Sequence, residues 1–153
     1  MALALSTTAF PNGGVIPARH TCEGADASPP LCWSDAPEGV RSFALIVEDP
    51  NAPVGVWIHW LLWDIPSSTQ SLPTGLEPGA GGVSGRNDFG RRGYGGPCPP
   101  RGHGPHRYFF HLFAVDQASL GLAEGSNRQA LENALAGHAV AKAEYMGTYE
   151  RKK

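Results

Sequence analysis

Six polar side chains stand at run ends or in a long loop, where a chain of this pattern can present them: Asp49, His59, Asp88, His103, His106 and Tyr108. His106 and Tyr108 open an aromatic run and lie two residues apart, so an extended chain points them to one side. Asp49 follows an apolar run, and His59 lies inside another. If these three runs neighbour one another in a sheet, a carboxylate, two imidazoles and a phenol converge. Imidazoles with an ordinary pKa of about 6.5 take up protons at modest cost when an anion arrives. Such a group suits a phosphate or carboxylate, with Asp49 fixing an imidazole or accepting from a protonated phosphate oxygen. Trp57 offers an apolar wall for the rest of a small ligand.

Other chemistries find less in the same residues. No HExxH or comparable spacing supports a metal site, and no CxxC pair supports zinc. No G-x-S-x-G elbow marks a serine nucleophile. Cys98, near His103 and His106, is the best covalent candidate, but Pro97-Cys-Pro99 reads as a rigid turn. We therefore expect no catalytic residue, no metal and no cofactor. His111, deep in an aromatic run, reads as structural.

The elements that must carry these residues are mostly strands. Turn signals recur about every ten residues from 6 to 40 and imply short strands. Ser42-Phe-Ala-Leu-Ile-Val47 reads as a strand buried on both faces, ending at Glu48-Asp-Pro, where Pro50 and Pro53 stop ladder pairing. Val56 to Ile65 reads as a second, with Val56, Ile58, Trp60 and Leu62 on one face and Trp57, His59, Leu61 and Trp63 on the other. Residues 66–105 show no periodicity and hold eleven of the 20 glycines (75, 79, 81, 82, 85, 90, 93, 95, 96, 102 and 104). So long a loop is either functional or disordered. Phe89, Tyr94 and Cys98 can anchor it, and its glycines let backbone N–H groups approach an anion. A strand from His106 to Val115 follows. Ser126-Asn-Arg-Gln129 reads as a capping box, with Leu131, Ala134 and Leu135 as a helical stripe and Gly137 as its stop. Residues 138–149 return to period two as a closing strand.

Composition agrees with a single domain over 1–153. The chain has 153 residues, 20 Gly and 14 Pro, a balance that suits an all-β or loop-heavy fold. Net charge is −2, and no basic run occurs before the last three residues. That excludes nucleic acid and adsorption to anionic membranes as electrostatic partners. No stretch approaches the roughly 20 apolar residues of a membrane helix, and the N-terminus lacks a basic leader, so no membrane insertion is expected. Cys22, Cys32 and Cys98 are an odd number, which favours a reducing compartment and a soluble, cytoplasmic protein. The simplest reading is three small buried thiols; a Cys22–Cys32 bridge is the pairing considered beside it.

Five segments together carry a resemblance: Glu48-Asp-Pro-Asn-Ala-Pro53, Trp57-Ile-His59, Asn87-Asp-Phe-Gly90, Tyr94-Gly-Gly-Pro-Cys-Pro-Pro100 and Gly104-Pro-His-Arg-Tyr108. In this order and spacing the chain, from Cys22 to Glu150, resembles the phosphatidylethanolamine-binding protein family and most closely its bacterial and archaeal, Raf kinase inhibitor-like branch. The resemblance implies a mainly β fold, a central antiparallel sheet packed on a smaller one with one or two peripheral helices. It also implies a small anion pocket from Asp49, Trp57, His59, Gly96, Pro100, His106 and Tyr108. The implied function is non-catalytic binding of phosphate-bearing small molecules, such as the headgroup phosphoethanolamine. The alternative it implies is a regulator that binds and inhibits a protein kinase or protease; a homodimer is also implied. Two departures stand out. Asn51 occupies a position where the family usually has Asp, removing a second carboxylate, and the long C-terminal helix of animal members has no counterpart.

Overall fold

β3 (Ser42–Ala52), β4 (Gly55–Pro66) and β7 (His106–Val115), the three apolar runs of the sequence, lie side by side. In the computed structural model, which describes residues 2–152, they form the middle of a five-stranded sheet of order β6-β4-β3-β7-β8, every neighbouring pair antiparallel. β6 is Val83–Ser84 and β8 is Ala139–Tyr149. A second sheet has the order β1-β2-β5, from Ala4–Ser6, Leu31–Ser34 and Ser71–Leu72. One helix, α1 (Arg128–Leu135), completes the fold with a 3₁₀ turn at Ala18–His20.

The central strands are apolar on both faces because both faces are covered. Leu5, Leu31, Trp33 and Leu72 of the small sheet pack against Phe43, Leu45, Val47, Trp60, Leu62, Phe110 and Leu112 of the large one. On the opposite face, Ala44, Ile46, Ile58, Leu61 and Trp63 are sealed by Leu131 and Leu135 of α1. Each large side chain fully buried this way contributes about 1.5–3 kcal/mol.

Pairing departs from the sequence expectation at three places. β3 does not stop at Glu48. Asp49 still pairs with Trp57, and Ala52 with Gly55, so the strand runs to the hairpin turn with Pro50 in an irregular stretch that needs no ladder bond. In β4, Val47 faces Trp60 while Glu48 faces Ile58, which leaves His59 as an extra residue in a β-bulge. The bulge changes the phase of the strand. Ile58 joins Leu61 and Trp63 on the helix side, whereas Trp60 and Leu62 join the inter-sheet core. A second irregularity lies beside Asp64, whose φ is 55° and whose carboxylate accepts from Leu120 N–H and Ser119 Oγ at 2.9 Å.

The long loop is neither featureless nor loose. It contributes β5 and β6, and its backbone is tied across the molecule. Gly95 N–H donates to His59 C=O (2.9 Å), and Tyr94 Oη donates to His20 C=O (2.7 Å). Helix α1 is capped by Asn127 rather than Ser126: Asn127 Oδ1 accepts from Ala130 N–H at 3.0 Å. Ser126 Oγ donates instead to Ala123 C=O, and Gln129 turns to Asn133, so the capping box does not form.

The cysteines also differ from expectation. Cys22 and Cys98 form a disulfide, and Cys32 is free and exposed, with Sγ 3.1 Å from Ser6 Oγ. The loop around Cys98 folds back onto the segment around Cys22, a contact across 76 residues that spacing does not reveal. With two of three thiols paired, the odd count no longer argues for a reducing compartment. Among the described residues, no helix is long and apolar enough to cross a membrane.

Candidate functional site

The three central strands end together on one side, and their polar residues meet at a cavity of about 230 Å³. Asp49 comes from β3, Trp57 and His59 from β4, and His106 and Tyr108 from β7. Their convergence follows from antiparallel register: Asp49 is paired with Trp57, and His106 and Tyr108 lie two apart on one face. The walls are Ala52, Pro53 and Val54 of the β3–β4 turn, Phe89, and the segment Cys98-Pro-Pro100. The wall is mostly apolar, and among the described residues neither Lys nor Arg contributes to it.

The polar groups are held by defined bonds. Asp49 Oδ2 lies 2.7 Å from His106 Nδ1, and Asp49 Oδ1 accepts from Asn51 N–H at 2.7 Å. With Asp49 a carboxylate, His106 Nδ1–H is the donor of that pair. His106 Nε2 is 2.6 Å from His103 Nδ1, so His103 joins the site as a third imidazole. His59 Nδ1 donates to Gly95 C=O at 2.6 Å. Its Nε2 therefore carries the lone pair of the neutral ring. Burial holds the His59 pKa below its ordinary 6.5, opposed in part by that bond and by the charge on Asp49. The expectation of two readily protonated imidazoles thus changes, because His59 resists charge.

The ring of Tyr108 meets that of His59 edge-on, with centroids 5.1 Å apart. Its hydroxyl is buried without a hydrogen-bond partner. Burial and the nearby Asp49 carboxylate raise its pKa far above 10, so it is a phenol and a donor. An unpaired buried hydroxyl costs about 1–3 kcal/mol, a debt that an acceptor placed in the cavity removes.

Of the seven residues expected here, six line the cavity and Gly96 does not. Gly96 packs on the segment near the 3₁₀ turn, where an added Cβ would stand 2.2 Å from His20 C=O. Its N–H donates to Asp26 Oδ1 (2.8 Å), and the Gly95 N–H is bonded to His59 C=O. These two of the glycine-loop amides expected to approach an anion are thus engaged elsewhere. Asn51 does not face the cavity with a polar group either. Its Oδ1 accepts from Arg107 N–H (2.9 Å) and Nε–H (3.2 Å), stitching the β3 tip to β7. Asp88 accepts from Ile58 N–H (2.6 Å) and holds the loop to β4. His111 lies away from the cavity, between Glu144 (3.3 Å) and Glu48 (3.8 Å). His103 was among the polar candidates but not among the seven expected pocket residues, Phe89 was read only as a loop anchor, and Val54 was passed over. Only His103 had a signal, its three-residue spacing from His106 across a Gly-Pro turn.

A family model described as phosphatidylethanolamine-binding protein matches residues 6–150. The chain belongs to the phosphatidylethanolamine-binding protein family. A UPF0098 protein of Aquifex aeolicus is 50% identical over 145 residues, covering 93% of this chain and 85% of that one. A UPF0098 protein of Pyrococcus horikoshii is 46% identical over 159 residues, covering 99% and 78%. Among solved structures, a putative phosphatidylethanolamine-binding protein homolog from Chlamydia trachomatis superposes with a TM-score of 0.91 at 40% identity, covering 98% of each chain. YbcL of Escherichia coli gives 0.90 at 34%, covering 98% of this chain and 99% of its own. In this member of the family, the cavity wall has one carboxyl group, two imidazoles and a phenol for polar groups, with His103 bonded behind His106.

Proposed function

We propose that the cavity binds the phosphate or carboxylate end of a small molecule, phosphoethanolamine-type headgroups included, and releases it unchanged. The observation that carries this reading is the unpartnered Tyr108 hydroxyl and the free Nε2 of His59, on two rings, 5.1 Å apart between centroids, that both line an apolar cavity. The hydroxyl can donate to an oxoanion, the imidazole can accept a hydrogen bond from a protonated oxygen of it, and Trp57 and Phe89 can cover the attached group. Binding without turnover is supported by the state of the nucleophiles. Cys98 is locked in a disulfide, and both oxygens of Asp49 are already bonded. The test is an NMR titration with phosphoethanolamine at millimolar concentration, following the imidazole signals of His59 and His106. We expect both to shift and no ester to be hydrolysed above a protein-free blank. Unmoved signals, or turnover, would refute the reading.

A further inference from the structure

We infer that the cavity selects the singly protonated form of a phosphate monoester and discriminates against sulfate monoesters, which have no proton to give. This rests on the oxoanion reading above and goes beyond it by naming which form of the anion fits.

The charge around the cavity makes the case. The carboxyl group on its wall is that of Asp49, contributed by β3. Among the described residues, no Lys or Arg lines it to offset a dianion. From β7 come His106, bonded to Asp49 and His103, and Tyr108. Asp26 lies behind the Gly95-Gly96 turn and adds negative potential at His59. Arg151 acts on Tyr108 but sits outside the wall, its Nε bonded to Pro99 C=O at 2.7 Å. A phosphate ester with two negative charges would approach the Asp49 carboxyl group with no guanidinium or ammonium on the described wall to offset it.

The hydrogen-bond polarity says the same. Gly95 C=O takes the Nδ1 proton of His59, which leaves Nε2 able only to accept. Burial keeps that ring neutral. Tyr108 supplies a donor with no other partner. The free groups on the two residues are therefore one acceptor and one donor, carried on rings whose centroids are 5.1 Å apart. A P–OH donating to His59 Nε2 and a P–O⁻ accepting from Tyr108 Oη satisfy both. A sulfate monoester is the same size and carries one charge, yet it only accepts, so it sets a lone pair against a lone pair at His59. Leaving a buried polar group unpaired in this way is what lets a site reject a close analogue strongly.

The experiment is a titration of the wild-type protein with methyl phosphate and methyl sulfate between pH 5.5 and 8, read by NMR shift changes. The second ionisation of a phosphate monoester falls near pH 6. Affinity for methyl phosphate should therefore fall about tenfold per unit above pH 7, with methyl sulfate at least tenfold weaker at pH 5.5. Protonation of the protein alone would strengthen both probes equally as pH falls. Equal affinities, or methyl phosphate affinity that is flat with pH, would overturn the proposal while leaving the oxoanion reading intact. Failure of both probes to bind at any pH would remove both readings.

Discussion

His106 Nε2 and His103 Nδ1 stand 2.6 Å apart, so a buried and an exposed imidazole share a single hydrogen bond. The other nitrogen of His106 is committed to Asp49. A chain of three polar groups thus runs from the floor of the cavity to solvent, and His103 decides which side of His106 Nε2 carries the proton.

Truncating the outer member should be cheap for the fold and visible at the site. His103→Ala is expected to cost no more than about 1 kcal/mol, since water can replace an exposed partner. The Nε2 signal of His106 in a long-range nitrogen–proton spectrum should move, while Nδ1, still bonded to Asp49, should hardly change. A spectrum unchanged at both nitrogens would show that the two rings do not interact in solution.

Stability should fall as the solution is acidified from pH 7 toward pH 5. His59 and His20 both have pKa values lowered chiefly by burial. Below 6.5 the unfolded chain therefore binds protons that the folded chain does not. The slope of stability with pH is then positive, up to about 1.4 kcal/mol per unit for each group fully in its window. The lowered pKa of Glu48, caused mainly by the neighbouring His111 at 3.8 Å, acts in the same sense below about 4.5. Urea midpoints at pH 7 and pH 5 measure this, and a higher midpoint at pH 5 contradicts it.

Gly96→Ala should destabilise the fold although the residue does not line the cavity. Its Cβ would press on His20 C=O at 2.2 Å and Asp26 Oδ1 at 2.5 Å. A backbone carbonyl has little room to yield, so we expect about 1–3 kcal/mol, the usual cost of overpacking. Thermal unfolding gives the number; an unchanged midpoint would mean the segments around 20 and 96 are not in contact.

Reduction of the disulfide should loosen the cavity wall before it unfolds the sheets. Cys98 lies between Pro97 and Pro99, in the segment that also supplies Pro99 and Pro100 to the wall. Breaking the bridge is expected to cost about 2–4 kcal/mol. Amide exchange should rise at 94–104 and around Cys22, with the central strands protected until global unfolding. A Cys22→Ala/Cys98→Ala variant should reproduce the reduced protein, and exchange identical to the oxidised protein would discount the bridge as a clamp.

Much of the fold was legible in the order of residues. Runs apolar at nearly every position, such as Phe43 to Val47 and Ile58 to Trp63, read as strands covered on both sides, and β3 and β4 are covered so. The spacing of His106 and Tyr108 put them on one face, and the ends of three runs named Asp49 and His59 as their partners. These are local properties, set by pleat period and by side-chain transfer from water.

The remainder is set by long-range pairing. A period of two carries no mark of an extra residue, so the bulge at His59 and the split of Ile58 from Trp60 follow from β3 pairing with β4. Glycine composition suggested an anion-binding loop, whereas packing against His20 and Asp26 turned Gly96 outward from the site. Cys98 chose Cys22 because the loop folds back, not because of spacing. The sequence by itself determined which groups could meet. Tertiary contacts decided which nitrogen, hydroxyl or amide was left free once every other donor and acceptor had found its partner, because burial forces each of those choices.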